Sequence, residues 1–376
     1  MSSSHQEQTS RNPSGQIRPE ELPPVQPPSA GFIVQLFLIP ALIVMAVIAV
    51  WALFGKLADS GSDWTQLVVE LGSGNEHRQW RAAQELAQML RNDQISPPSD
   101  RPPLSEIPEV ANSLVDLLKK SLATGNPSEE ELLQQKFLAR ALGGLSSDDT
   151  VLPVLAAALD PARDISVRES AMMSVNSISG RHFDRLTSYD PAQESQSEAK
   201  IPDRRPLPEP ALAHPEILAQ IRIAAQEQQP LLRSLAAYAL GNISGPESIE
   251  LLQVMLLDGD AATRANVVMS LARNGVAAAV PELLNILNDS QQPFSADGQK
   301  FADETARRRA EVEYEAQRPV LARNGLRAAL DLWQRAAAAQ QDELLQTVLS
   351  VADCSSLPAD VRLQAQELHT LLSKQR

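Results

Sequence analysis

Residues 233–245 read RSLAAYALGNISG, and residues 168–180 read RESAMMSVNSISG. Both stretches begin with Arg, carry Ala at the fourth position and end in Ile-Ser-Gly. This similarity between the two stretches is compatible with a catalytic loop that occurs twice or with a repeated structural unit. Because the turn-forming residues follow helix-favouring Ala and Leu, we interpret both stretches as the first helix and turn of a repeated unit. Gly241 and its counterpart Asn176 are then predicted to take a left-handed helix cap.

The repeat continues beyond these two stretches. An interval of 31 residues separates Arg233 from Arg264. An acid stands four residues before the arginine in two copies, at Asp164 and Asp260, and we expect it to pair with the arginine one turn further on. The positions predicted to build the repeat are Arg168, Arg233, Arg264 and Gly241.

The body of the chain is predicted to be helical. From about residue 65 to residue 376, apolar residues recur at spacings of three and four in short segments separated by Gly, Pro and Asp turns. A lone helix pair cannot hide its apolar face, so neighbouring pairs must stack. The sequence therefore predicts an all-α fold, an α-solenoid of stacked antiparallel helix pairs over 65–376. A polar, proline-rich insertion at about 187–215 interrupts it and is predicted to be disordered.

Two features carry a resemblance to a known family. They are Arg168 and Arg233, each preceded by an aliphatic residue, and the run AAYALG at 236–241. Over 135–287 the chain resembles the HEAT-repeat family, especially its short bilin-lyase-like subtype. The resemblance implies an armadillo-like helical scaffold that binds proteins, because the family's motif residues build the stack and share no reaction. Some relatives of the subtype act on bilin chromophores attached to proteins, which implies a lyase-like enzyme or accessory factor as the alternative.

An apolar segment precedes the solenoid. Residues 32–54, from Phe32 to Phe54, carry no charged side chain. A helix of this length would extend roughly 35 Å and could cross a bilayer core of about 30 Å. We therefore predict one transmembrane helix at 31–55. A cleaved signal peptide fits less well, because no clear cleavage site follows the apolar run.

The regions around this segment complete the predicted organisation. The polar and proline-rich residues 1–30 are predicted to be a disordered tail, and residues 56–64 a linker. Arg11 and Arg18 precede the span and Lys56 follows it, which favours a cytoplasmic N-terminus in a single-pass membrane protein. The lipid bilayer is then one partner and an unidentified protein is the other.

The sequence offers little catalytic chemistry. A net charge of -14 argues against nucleic acid as a partner, because phosphate contacts need Lys and Arg. No His or Cys stands at metal-ligand spacing, so we predict no metal, cofactor or catalytic residue. His182 and Asp184 come nearest to a site. A cavity where His, Asp or Tyr converge would favour the enzyme, whereas a smooth acidic or leucine-rich groove would favour the scaffold.

Overall fold

The computed structural model describes residues 31, 38, 41–42, 44–50, 63–71, 73, 75–99, 101–187, 201–296 and 300–376. The chain divides into two units, Met1–Asp63 and Trp64–Arg376. Within the described residues every regular element is an α-helix or a short 3-10 helix, and none is a strand. The all-α prediction is confirmed.

In the first unit, the described positions between 38 and 50 are helical. Their large apolar side chains are 52% to 62% exposed. Among the helices that the structure describes, none is both long enough and apolar enough to cross a membrane. The predicted span at 32–54 lies partly outside the described residues. The tail at 1–30 lies wholly outside them, as does nearly all of the linker at 56–64, so all three stay predictions.

The second unit contains fourteen α-helices among its described residues. In chain order they are α1 Trp64–Leu71, α2 Glu76–Ile95, α3 Pro108–Leu122, α4 Glu129–Leu142, α5 Asp148–Ala158, α6 Ile165–Thr187, α7 Pro215–Ala224, α8 Pro230–Ile243, α9 Pro246–Met255, α10 Ala261–Arg273, α11 Val280–Asp289, α12 Glu304–Leu332, α13 Ala338–Asp353 and α14 Ala359–Ser373.

The helices stack in two layers. Each odd-numbered helix packs against the even-numbered helix that follows it, from α1 with α2 to α13 with α14. The helices α4, α6, α8, α10, α12 and α14 also pack on one another in that order, and we call them the even layer. On the other side, α1, α3, α5 and α7 pack in order, and α11 packs on α13. A stack of helix pairs in which each contacts its neighbours is an α-solenoid.

Helical periodicity and capping explain these elements. In α3 the side chains of Val110, Leu114 and Leu118 are 0% exposed and form one apolar stripe. Proline stands in the first turn of α3, α7, α8, α9 and α11, where its missing N–H costs no helical hydrogen bond. The Asp260 carboxylate caps α10 by accepting the N–H of Thr263.

The predicted caps at Gly241 and Asn176 are wrong. Both residues are buried inside helices, Gly241 in α8 and Asn176 in α6. A Cβ added at Gly241 would lie 2.5 Å from the Oγ of Ser270 in α10. The glycine is therefore required by the close approach of two helices, and the positive φ angles fall later, at Ser244 and Gly245.

The repeat arginines link successive helix pairs. Arg168 binds Glu227, Arg233 binds Asp258, and Arg264 binds Glu282. The predicted pairing with the acid four residues earlier is wrong, because those acids are engaged in turns. The Asp164 carboxylate accepts the N–H of Ser166, and Asp260 accepts that of Thr263. Each arginine is thus left to reach the acid of the next pair.

The predicted disordered insertion at about 187–215 divides into two parts. Residues 188–200 lie outside the described residues. Residues 201–212 have no regular secondary structure but follow a fixed course along the ends of α8, α10 and α12, and we call them the strap. Its two ends are anchored by Ile201 and Leu212, which are 6% and 5% exposed.

Candidate functional site

A groove of about 510 Å³ lies on the even layer. It crosses α6, α8, α10 and α12, and the strap contributes one residue to it. The lining residues are Gly180, Phe183, Asp184, Arg204, Tyr238, Gly241, Asn242, Asn266, Met269, Ser270, Arg273, Asn324, Arg327, Ala328 and Asp331. Each helix presents residues at spacings of three and four, which is the stripe that one face of a helix exposes.

Arg273 is held firmly in the groove. Its guanidinium lies over the ring of Phe183, with 4.4 Å from the guanidinium carbon to the ring centroid. One nitrogen donates to Asn242 Oδ1 at 2.5 Å, and another donates to Asp184. A cation stacked on an aromatic ring and bonded to two acceptors has a fixed orientation. Three successive helices of the even layer therefore position this one charge.

A second arginine enters from the strap. Arg204 donates from its Nε to Asp331 Oδ1 at 2.9 Å, and the two side chains are 17% and 10% exposed. The main chain of the strap is held by two residues just beyond α12. Gln334 donates to the carbonyl of Ile201 at 3.0 Å, and Arg335 donates to the carbonyl of Arg204 at 3.1 Å.

Glycine lets the strap approach the helix ends. Gly275 has a φ of 65°, and a Cβ there would lie 2.5 Å from the carbonyl carbon of Arg204. Further along, the N–H of Leu207 donates to Ser244 Oγ at 2.9 Å. Ser244 in turn donates to Asn274 Oδ1 at 2.6 Å. The solenoid thus binds the main chain of a stretch of its own sequence that has no regular secondary structure.

The groove differs from both forms that were expected. It is neither smoothly acidic nor rich in leucine, since its charged lining consists of three arginines and two aspartates. Tyr238 and the two aspartates do reach it, but each aspartate is bonded to an arginine. His182 and Asp184 do not form a pair: His182 contacts Asp148 at 2.6 Å, and Asp184 binds Arg273.

Of the four predicted repeat positions, one lines the groove and three do not. Gly241 lines the groove, whereas Arg168, Arg233 and Arg264 are absent from its lining. Among the described residues, no group of three His, Cys, Asp or Glu could hold a metal ion. The sequence did contain a signal for the groove, because the interval of 31 residues from Arg233 to Arg264 also separates Asn242 from Arg273.

Comparison with known proteins gives one family match. A family model described as HEAT repeats matches residues 212–295, which run from the end of the strap to beyond α11. Among curated proteins, none matches the sequence. The matched segment contains the complete helix pairs α7–α8 and α9–α10, so the HEAT-like part of the prediction is confirmed there.

Three solved structures are similar at low identity. The complex of CpcE and CpcF of phycocyanin lyase from Nostoc sp. is 16% identical, over 82% of this chain and 94% of that chain, with a TM-score of 0.36. An engineered protein is 17% identical, over 83% and 97%, with a TM-score of 0.35. Human deoxyhypusine hydroxylase in complex with glycerol is 17% identical, over 86% and 99%, with a TM-score of 0.26.

Proposed function

We propose that this protein is a scaffold without catalysis of its own, which binds an extended segment of a partner protein in the groove of the even layer. The observation that carries the proposal is the strap. At the margin of the same groove, side chains of the solenoid bond the main chain of this irregular stretch at Ile201, Arg204 and Leu207. A surface that binds the main chain of its own irregular segment in this way has the chemistry to bind that of another protein.

The exposed groove residues suit such a ligand. Tyr238 on α8 is 43% exposed, and Asn324 is exposed on α12 in the same lining. An asparagine amide both donates and accepts, as a peptide bond does, and an aromatic ring gives contact area at a low entropy cost. Because Asp184 and Asp331 are bonded to arginines, the groove favours binding over acid–base work.

The scaffold is further proposed to be anchored in a membrane by residues 32–54. The absence of charge along this segment supports the proposal, as does the exposure of every large apolar side chain described between 38 and 50. The arginines before the segment favour a cytoplasmic N-terminus, and the proposal therefore has the solenoid across the membrane. Fractionation of cells that express the full chain tests the anchor, which requires recovery with membranes after an alkaline wash.

Site-specific crosslinking tests the groove. A photo-crosslinking phenylalanine derivative replaces Tyr238 or Asn324 in the groove, or Val254 or Leu257 on α9 and just after it as matched exposed controls. We expect one partner segment to be crosslinked from both groove positions and from neither control. The bulky exposed change Asn324→Trp should reduce crosslinking from position 238. Equal crosslinking from groove and control positions would refute the proposal.

A lyase-like role on a protein-bound chromophore is the second candidate. The size of the groove favours it, because a volume of about 510 Å³ lies in the range of small-molecule pockets. Tyr238 lines this groove. Purified protein mixed with a free bilin distinguishes the two functions. An absorbance shift that the Tyr238→Ala variant abolishes would favour the chromophore, whereas an unchanged spectrum would favour the scaffold.

A further inference from the structure

We propose that a crevice between α2, α3 and α4 binds an organic dication that carries two alkylammonium groups. The crevice has a volume of about 390 Å³, which lies in the range of small-molecule pockets. It is formed by the first turns of α2 and α4, the last turns of α3 and the residues just after α3. It shares no lining residue with the groove of the even layer, so this inference is independent of the proposed function.

The crevice carries negative charge that its own side chains do not compensate. Glu76, Glu130 and Glu131 line it together with Lys120, and His77 is the remaining titratable group of the lining. Within the part of the chain that the structure describes, none of these five side chains forms an ion pair. With the histidine neutral, three carboxylates and one ammonium leave two negative charges, which match a ligand with two positive charges.

A buried amide in the lining supplies a neutral acceptor. Gln79 is 8% exposed, and its Nε2 donates to the carbonyl of Leu71 at 3.0 Å and to that of Ser73. Its Oε1 has no hydrogen-bond partner among the described residues. Because Nε2 is held by the end of α1 and the turn after it, Oε1 is the polar atom that Gln79 has left for the crevice that it lines. An ammonium group donates to such an oxygen.

An aromatic ring provides the second contact that an organic cation prefers. Trp80 is partly buried in the lining. Its ring lies nearly perpendicular to that of Phe137, with 4.9 Å between the ring centroids and 76° between the planes. An indole ring attracts an alkylammonium group through its negative face, and of the aromatic side chains it does so most strongly. Carboxylates, an amide oxygen and this ring together have the chemistry of a cation site.

The spacing of the acids favours an organic cation over a metal ion. Of the residues that the structure describes, no three His, Cys, Asp or Glu groups could hold one ion together. A calcium ion needs its oxygen ligands within about 2.6 Å. A linear diamine has no such requirement, because its two ammonium groups reach separate carboxylates.

Calorimetric titration of the full-length protein in detergent with putrescine, a linear diamine, tests the proposal. The crevice variant combines Glu76→Gln with Glu130→Gln. The control variant combines Glu109→Gln with Glu129→Gln, which are exposed positions in the first turns of α3 and α4 outside the crevice. Both variants lose two charges from helix N-termini, so their net charges are equal. We expect about one putrescine to bind per native or control chain, and binding to the crevice variant to be about tenfold weaker.

Two further measurements address the ring and the second ammonium group. Trp80→Leu should weaken putrescine binding about threefold or more, because the cation loses its aromatic contact. Butylamine, which has the same carbon chain and one ammonium group, should bind the native protein about tenfold more weakly than putrescine. Glu131 stays unchanged throughout, because its carboxylate caps α4 by accepting the N–H of Ser128 at 2.7 Å.

A peptide of two adjacent lysines with blocked ends distinguishes the sources of the dication. If this peptide binds more tightly than putrescine and the crevice variant loses it, the ligand is a segment of a partner protein. If putrescine binds more tightly, the ligand is a free diamine. Failure of both probes to bind the native protein would overturn the inference. Equal weakening in the crevice and control variants, or displacement of putrescine by Mg²⁺ at the same concentration, would also overturn it, because either result would reflect net charge alone.

Discussion

The two stretches that echo each other in sequence end differently in the structure. In α8 the helix stops at Ile243, and the chain turns through Ser244 and Gly245 with φ angles of 59° and 78°. In α6 the matching Ile-Ser-Gly at 178–180 stays helical, and the helix continues to Thr187. The shared motif therefore does not itself end a helix.

The residue after the motif differs between the two copies. Pro246 follows Gly245 in the first case, and proline disfavours helical conformation in the residue before it. Arg181 follows Gly180 in the second case and donates to the carbonyls of Gly143 and Leu145, just past the end of α4, at 2.6 Å and 2.7 Å. The two extra turns of α6 then carry Phe183 and Asp184 into the groove.

The largest expected loss of stability comes from giving the motif in α6 the same following residue, proline, as the motif in α8. Arg181→Pro gives α6 the sequence Ile-Ser-Gly-Pro, removes a helical hydrogen bond and should cost about 3 kcal/mol or more. The control Arg181→Ala loses only the two side-chain bonds and should cost about 1 to 2 kcal/mol. Urea midpoints by circular dichroism measure both. Equal midpoints for the two variants would show that helix continuation at this place carries no stability.

Two helical glycines, Gly241 in the α8 copy and Gly180 at a different motif position in the α6 copy, should respond to alanine with opposite signs of stability change. Gly241→Ala forces a Cβ to within 2.9 Å of the Ser270 Cα, and overpacking of this kind costs about 2 kcal/mol. Gly180→Ala places its Cβ at an ordinary 3.5 Å from Asn242 Nδ2 and should gain about 0.5 to 1 kcal/mol from helix propensity. Thermal unfolding of both variants checks this, and a loss at Gly180 as large as that at Gly241 would contradict it.

Lowering the pH should weaken the ion pair between Arg233 of the α8 copy and Asp258, because the Asp258 carboxylate becomes protonated. The hydrogen bonds from Arg233 hold the pKa of the Asp258 carboxyl below its usual range. Because this pKa is lower in the folded than in the unfolded protein, the ionised carboxylate contributes its full stabilisation at pH values above the unfolded pKa of about 3.9. This stabilisation is lost as the pH falls through the folded pKa. Asp258→Asn should therefore cost about 1 to 2 kcal/mol at pH 7 and less at pH 3.

The control for this experiment is Glu250→Gln, at an exposed position on α9. Its stability should follow that of the native protein at both pH values. Unfolding in urea at pH 7 and at pH 3 measures the difference. A cost for Asp258→Asn that is as large at pH 3 as at pH 7 would mean that packing, and not the ionised carboxylate, stabilises this link between helix pairs.

The smallest expected difference concerns the serines of the motif. Ser244 joins α8 to Asn274 and to the strap, and removing its hydroxyl in Ser244→Ala should cost about 1 kcal/mol. Ser179 is its counterpart and bonds only within α6, to the carbonyl of Asn176 at 3.3 Å. Ser179→Ala should cost about 0.5 kcal/mol or less. Proteolysis near the strap should increase only in the first variant.

Much of the fold could be predicted because it depends on local chemistry. The spacing of apolar residues in α3 gives the helix and its buried face, since Val110, Leu114 and Leu118 must leave water together. The repeated Arg233 and Arg264 indicate stacked units because equivalent positions recur at a constant interval. These inferences need no knowledge of distant contacts.

The strap could not be predicted in the same way. Its prolines and polar residues are typical of disorder, and nothing in the local sequence shows that Arg204 reaches Asp331, far along the chain. The partners of the repeat arginines were missed for a related reason. The acid nearest Arg264 in sequence is occupied by a turn, and the acid that it binds, Glu282, belongs to the next pair.

By itself the sequence determined the helices and the fact that they repeat, because both follow from periodicity within a few turns. Only the tertiary structure decided which residues share the groove. Arg204, Arg273 and Arg327 meet there because the strap crosses the ends of helices whose stacking brings distant positions side by side. Gly241 shows the same division, since its presence could be read from the sequence but its role depends on Ser270 in the neighbouring helix.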